Sequence, residues 1–140
     1  MARVQRFEDL KVWQAARALV RGVYAATRKG AFARDFGLRD QIQRASVSVM
    51  SNIAEGFESR TDRLFLDYLG RAKASAGEVR SQLYIALDLE YIAKSQFQAL
   101  RKDAEKVSKQ LTAFMRYLST DHDTRRVRED DILYDVETDE

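Results

Sequence analysis

The residues of this sequence best suited to chemistry lie together in the stretch SVSVMSNIAEGF, at positions 46–57. Ser48, Asn52 and Glu55 offer a hydroxyl, an amide and a carboxylate, the groups that general-base catalysis would use. Gly56 follows them, but without a GxGxxG or GxxxxGK pattern it gives little support to a phosphate-binding loop. No second carboxylate, histidine or lysine falls on the same helical flank. The sequence therefore favours a structural role here, with partner binding and catalysis as the alternatives.

The composition argues against several classes of enzyme and membrane protein. The chain has 140 residues and no cysteine, and the lack of cysteine excludes disulfides, thiolate zinc sites and cysteine nucleophiles. Its single histidine, His122, lies in a polar, charged segment, which disfavours a Ser-His-Asp relay or a multi-histidine metal site. We therefore expect no catalytic residue, metal or cofactor. No run approaches the roughly 20 apolar residues of a membrane span, and the start MARVQRFEDL lacks an apolar signal region, which favours a cytoplasmic protein without membrane contact.

Charge is segregated along the chain, although the net charge is only +2. Residues 121–140, the acidic tail, carry nine acidic and three basic groups, a net of −6. Residues 1–120 carry 21 basic and 13 acidic groups, a net of +8. A basic body suggests a polyanionic partner such as RNA or DNA. The acidic tail is expected to compete with that nucleic acid for the basic body.

Hydrophobic periodicity predicts an all-helical protein. Proline is absent and only 6 residues are glycine, which disfavours a fold of strands and turns. Apolar residues at spacings of three and four predict helices at about residues 10–27, 38–55, 62–91 and 96–118. The most regular pattern is that of the fourth helix: Phe97, Leu100, Ala104, Val107, Leu111, Phe114 and Leu118. The expected fold is an all-α, antiparallel up-and-down four-helix bundle over residues 1–120, followed by a mobile acidic C-terminal tail.

Polar residues line one flank of the second helix. They are predicted to form a seam that hydrogen-bonds a neighbouring helix and fixes its register. The residues of this polar seam are Gln41, Arg44, Ser48, Asn52 and Glu55. Gly56 is predicted to end the helix in the left-handed conformation, as a glycine cap does. Thr61 is a suitable cap for the helix that follows.

The first helix has a second apolar strip, which we place roughly opposite its core-facing side. The strip consists of Val12, Ala15, Leu19 and Ala26. A helix that is apolar on two faces is usually buried on both sides, so this strip predicts contact with another subunit. The alternative is that scattered alanines on a surface helix have no role.

Basic residues on the helices are candidates for phosphate contacts. Such contacts require positive groups on an exposed face and no particular sequence spacing. The candidates for nucleic-acid binding are Arg17, Arg21, Arg28, Arg71, Lys73 and Arg80. The alternative is that they form solvated helix faces with ion pairs at i,i+4.

Three segments carry a resemblance to a known family. They are FEDLKVWQAA near the start, QIQRASVSVMSNIAEGF in the second helix and GEVRSQLYIALDLEYI in the third. Over about residues 7–118 the chain resembles the four-helix-bundle proteins encoded in intervening sequences of 23S rRNA genes, and it is similar to the accessory variability proteins of diversity-generating retroelements. The resemblance implies a homopentamer with a basic surface and no enzymatic activity. In the retroelement branch it implies binding to nucleic acid and to a reverse transcriptase.

The sequence is compatible with two main functions. One is a non-catalytic accessory factor that binds nucleic acid through a basic surface. The other is an oligomeric scaffold or adaptor that binds a protein partner and has no nucleic-acid role. An enzyme is the least favoured class.

Overall fold

The described part of the protein consists of helices and the turns between them. The computed structural model describes residues 4–59, 61–120, 129–132 and 134, and these contain no strand. The helices are α1 (Lys11–Thr27), α2 (Gly30–Arg34), α3 (Phe36–Glu58), α4 (Asp62–Asp88) and α5 (Lys94–Leu118). Single 3-10 turns cover Phe7–Asp9 and Glu129–Asp131. The four predicted helices are thus present, and the short α2 was not predicted.

The four long helices pack as a bundle around two clusters of buried apolar side chains. α1 packs against α3 and α5, and α4 packs against the same two helices. Every residue of the regular pattern predicted for α5, from Phe97 to Leu118, is buried. The prediction of an all-helical four-helix bundle is confirmed at this level.

Side-chain caps fix the starts of α3 and α4. Oδ1 of Asp35 accepts a hydrogen bond from the N–H of Leu38 at 3.1 Å, and Oγ1 of Thr61 accepts one from Leu64 at 3.2 Å. The Tyr91 hydroxyl donates to Oδ2 of Asp35 at 2.9 Å, which joins the start of α3 to the turn after α4. This hydrogen bond, with desolvation and the Asp35 charge, raises the pKa of Tyr91 above its ordinary value.

Gly56 lies inside α3, so the prediction that it ends this helix is wrong. The helix continues to Glu58, and Gly56 does not have the positive φ of a glycine cap. Its lack of a side chain has another cause. A Cβ atom here would lie 2.8 Å from Cδ1 of Phe65 and 2.8 Å from Cβ of Tyr68. Glycine is therefore required because α4 passes too close to α3 for any side chain.

The second apolar strip of α1 belongs to the core, which corrects its prediction as a subunit contact. Val12 and Leu19 are 0% exposed and Ala26 is 6% exposed, while Ala15 is half-buried against the same core. At about 100° per residue, the two strips of α1 adjoin and do not oppose each other. They form one wide face, and the single chain buries it.

Two members of the predicted polar seam reach α4. Oγ of Ser48 lies 2.9 Å from Oγ of Ser75. Nε2 of Gln82 donates to Oε1 of Gln41 at 3.2 Å. Both pairs cross the interface between α3 and α4, as the seam hypothesis expects of these two positions.

Part of the acidic tail packs on the bundle. The tail residues that the structure describes are 129–132 and 134, which we call the docked segment, and the other tail residues lie outside the described part of the chain. Ile132 is 5% exposed and belongs to the same buried cluster as Leu10 and Ala113, near the start of α1 and the end of α5. For the docked segment, the prediction of a mobile tail does not hold.

Candidate nucleic-acid-binding surface

The residues that first suggested catalysis do not assemble into a catalytic site. Nδ2 of Asn52 donates to the carbonyl oxygen of Ser48 at 2.8 Å and to its hydroxyl oxygen at 3.0 Å, within α3. These bonds stay within α3, which corrects the prediction that Asn52 hydrogen-bonds a neighbouring helix as a member of the polar seam. Glu55 and Arg44 are exposed on the outer side of α3. No carboxylate, histidine or lysine bonds to Ser48 among the described residues, so no general base activates its hydroxyl.

Two predicted arginines of α1, together with Arg28 directly after its end, form one exposed face. Arg17, Arg21 and Arg28 are all exposed, and they lie within about 40° of one another around the helix axis. The Arg17 guanidinium lies 5.9 Å from the Trp13 ring centroid, and Nε of Arg28 donates to the Tyr24 carbonyl at 3.2 Å. Within the described part of the chain, no ion pair neutralises any of these arginines. We call them the arginine face.

Arg71 is separate from the arginine face, because it lies on α4. Its side chain is exposed, and its guanidinium lies 5.2 Å from the Tyr68 ring centroid. Tyr68 contacts Gly56 of α3 closely, so Arg71 lies on the side of α4 that is nearer α3. Its charge is available to an external anion, but the structure does not bring it together with the α1 arginines.

Lys73 points into the interface between α4 and α5, which corrects its assignment as a phosphate contact. Its ammonium group donates to Oγ1 of Thr112 at 2.7 Å and to Oγ of the buried Ser108 at 3.2 Å. An exposed phosphate-binding lysine would keep its donors free for the ligand. The sequence did not reveal this, because it does not show which hydroxyls α5 places opposite α4.

The Arg80 side chain also contacts α5. Its guanidinium lies 3.9 Å from Oε1 of Glu105, which is 3.8 Å from Nε of Arg101. Arg80 is half-buried and therefore acts mainly as a contact between helices. Of the six predicted basic residues, the structure leaves the arginine face and Arg71 exposed.

The sequence reasoning missed a second basic surface, on α5. Lys102, Lys106 and Lys109 are exposed and follow one another at spacings of four and three, so they share the outer side of the helix. No ion pair involves them within the described residues. Their spacing could have been read from the sequence as the polar counterpart of the α5 core pattern. We call these three residues the lysine face.

The docked segment forms one wall of a groove along the lysine face. The groove has a volume of about 350 Å³ and is lined by Lys102, Glu105, Lys106, Lys109, Gln110 and Tyr134. The Tyr134 hydroxyl donates to Oε2 of Glu129 at 2.7 Å. Burial, this hydrogen bond and the Glu129 charge raise the pKa of Tyr134 well above its usual range. The phenol therefore stays protonated and holds its contact with Glu129.

The described residues offer neither a metal site nor a membrane span. No group of three or more histidine, cysteine, aspartate or glutamate side chains is arranged to hold a metal ion among the described residues. No helix in that part of the chain is long and apolar enough to cross a membrane.

The comparisons with known proteins agree with the helical fold. The family described as 23S rRNA-intervening sequence protein matches residues 8–113. A crystal structure of a protein of unknown function from the S23 ribosomal protein family of Bacteroides thetaiotaomicron is similar, with a TM-score of 0.69 and 24% sequence identity. The similarity covers 75% of this chain and 95% of that protein. No curated protein matches the chain. The chain belongs to the family of 23S rRNA-intervening sequence proteins.

Proposed function

We propose that this protein is a non-catalytic accessory factor that binds nucleic acid through a basic surface. The observation that carries the proposal is the arginine face of α1. Arg17, Arg21 and Arg28 are exposed, share one side of the helix and have no acidic partner in the described part of the chain. Unpaired cations of this kind attract the phosphates of a polyanion and release its counterions.

The proposed contacts are with the nucleic-acid backbone and do not read base sequence. Phosphate contacts position a protein on a duplex but carry no sequence information directly. Arginine also binds phosphate in a two-pronged geometry, which suits this role better than a point charge does. The expected binding is therefore similar for different sequences and strongly dependent on salt.

The proposal includes the assembly implied by the family resemblance. In it, antiparallel four-helix bundles associate as a homopentamer that displays a basic surface in the cytoplasm. The order of contacts between α3 and α4 supports the antiparallel arrangement, because Gln41 meets Gln82 whereas the later Ser48 meets the earlier Ser75. A reverse transcriptase is a proposed partner only if the chain is encoded within a retroelement.

A second candidate function is an oligomeric scaffold or adaptor that binds a protein. It is favoured by exposed apolar side chains at the end of the bundle where α3 begins and α4 ends. Phe36 is 63% exposed, Ile85 is 46% exposed and Leu89 is 51% exposed. Exposed apolar groups that lie near one another are typical of protein-binding surfaces. In this function the arginines would serve only solubility or subunit contacts.

A salt titration separates the two functions. Fluorescence anisotropy would measure binding of the intact chain to a labelled structured RNA and to a labelled DNA duplex, from low to moderate salt. A steep fall of affinity with salt for both probes supports the proposed function. An absence of binding at low salt contradicts it and favours the scaffold.

A further inference from the structure

The groove along α5 has an excess of positive charge. Its three lysines have no ionic partner among the described residues. Its single carboxylate, Glu105, lies 3.9 Å from the Arg80 guanidinium and 3.8 Å from that of Arg101. The charge of Glu105 is therefore offset by arginines outside the groove, and the lysine face remains uncompensated.

The docked segment, which forms the wall opposite the lysine face, is held in place by contacts with residues that are distant from it in sequence. Glu129 accepts a hydrogen bond from the backbone N–H of Lys11 and another from the Tyr134 hydroxyl. Ile132 is buried with the core of the bundle. The groove is thus shaped by the folded chain, and a row of lysines on an isolated helix would not produce it.

We infer that this groove is a binding site for the sugar-phosphate backbone of a nucleic acid. The inference rests on the proposed function and assigns it a second contact surface, on the helix next to the arginine face. The ammonium groups of Lys102, Lys106 and Lys109 contact successive phosphates, and Tyr134 limits the groove on the other side.

The dimensions of the lysine face match this ligand. Lys102 and Lys109 are separated by seven residues of helix, or about 10 Å along its axis. Phosphates of one duplex strand follow at about 3.4 Å of helix axis each, so this length spans roughly three of them. Lysine acts on phosphate as a point charge with rotatable donors and therefore tolerates such an approximate match.

The lining favours nucleic acid over an acidic protein. Its six residues all carry a charged or polar group, and its apolar surface comes from the carbon chains of these residues and the ring of Tyr134. Protein interfaces usually have an apolar centre surrounded by a polar rim. A groove of lysines without such a centre is better suited to a regular chain of phosphates.

The test compares three variants with the intact chain in the anisotropy titration on duplex DNA. The first replaces the lysine face: Lys102→Gln, Lys106→Gln and Lys109→Gln. The second replaces the arginine face: Arg17→Gln, Arg21→Gln and Arg28→Gln. The third is a control with the same loss of charge in exposed residues elsewhere: Lys29→Gln, Arg34→Gln and Lys94→Gln. Thermal unfolding of each variant verifies that it is folded.

If the groove binds phosphate, the lysine-face variant should flatten the slope of log K against log salt by about 2–3 units, or roughly 0.9 per lost contact. The control should change the slope much less. Equal effects of these two variants, while the intact chain binds, would overturn the inference and leave the proposed function standing. A failure of the intact chain to bind would overturn both. Binding of labelled polyglutamate that is as tight as binding of duplex DNA and is lost in the lysine-face variant alone would overturn the inference and assign the groove to acidic proteins.

Discussion

The carboxylate of Glu129 accepts a hydrogen bond from the backbone N–H of Lys11, 118 positions earlier, with N–O distances of 2.9 and 3.1 Å. Lys11 begins α1, and the preceding residue, Leu10, makes no side-chain cap. The first N–H groups of a helix have no partner within it, and a negative charge there also complements the helix dipole. The docked segment therefore supplies the cap that the start of α1 lacks.

Loss of this carboxylate should weaken the fold. We expect Glu129→Ala to lower the free energy of unfolding by about 1–2 kcal/mol, as loss of a helix cap does. Urea denaturation followed by circular dichroism measures the change. Asp131→Ala is a matched control, because Asp131 belongs to the same turn but is exposed. Equal stability of the two variants would contradict the capping role of Glu129.

Removal of the acidic tail should have opposite effects on binding and on stability. Deletion of residues 121–140 removes a net charge of −6 together with the Tyr134 wall of the groove, so we expect tighter binding to RNA or DNA through the arginine face at moderate salt. The same deletion removes the Glu129 cap and the buried Ile132, so the melting temperature should fall. Anisotropy and thermal unfolding of one sample measure both. Unchanged affinity in a variant that is still folded would contradict competition by the tail.

Gly56 should tolerate no side chain, whereas Gly77 should. We expect Gly56→Ala to lower the free energy of unfolding by about 1–3 kcal/mol, because the new methyl group would press on Phe65 and on Cβ of Tyr68. Nothing lies within 4 Å of a Cβ built at Gly77. Gly77→Ala should therefore stabilise the protein by about 0.5–1 kcal/mol, as replacement of an unconstrained helical glycine does. Chemical denaturation of both variants is the measurement, and stabilisation by Gly56→Ala would contradict the close approach of α4.

Leu19 should contribute to the stability of the single chain. It is 0% exposed, so Leu19→Ala should cost about 2–5 kcal/mol, as loss of a core leucine does. Leu89 is 51% exposed, and Leu89→Ala should change stability much less. Denaturation curves would be combined with analytical ultracentrifugation. A smaller assembly with unchanged unfolding would instead restore the role of Leu19 as a subunit contact.

Most of the helices could be predicted because their buried apolar residues recur every three or four positions along the sequence. The α5 pattern from Phe97 to Leu118 depends only on neighbours three and four residues apart, and all of it is buried. The cap at Thr61 is a local signal of the same kind. The apolar pattern places the start of α3 at about residue 38, whereas the helix begins at Phe36, because the Asp35 side chain caps it there.

What could not be predicted depends on contacts between distant parts of the chain. Gly56 has the local signature of a helix end, but its lack of a side chain is explained by Tyr68 on another helix. Lys73 has the sequence context of an exposed cation, but Ser108 and Thr112 of α5 bind it. The contact between Glu129 and Lys11 has no local signature in the sequence.

The most direct measurement is the salt dependence of binding to a DNA duplex, for the intact chain and for the variant Arg17→Gln, Arg21→Gln and Arg28→Gln. We expect the intact chain to bind at low salt with a steep negative slope of log K against log salt. Loss of three arginine–phosphate contacts should make that slope shallower by about 2.7 units. No binding by the intact chain, or identical slopes for the two proteins, would contradict the proposal that the arginine face binds nucleic acid.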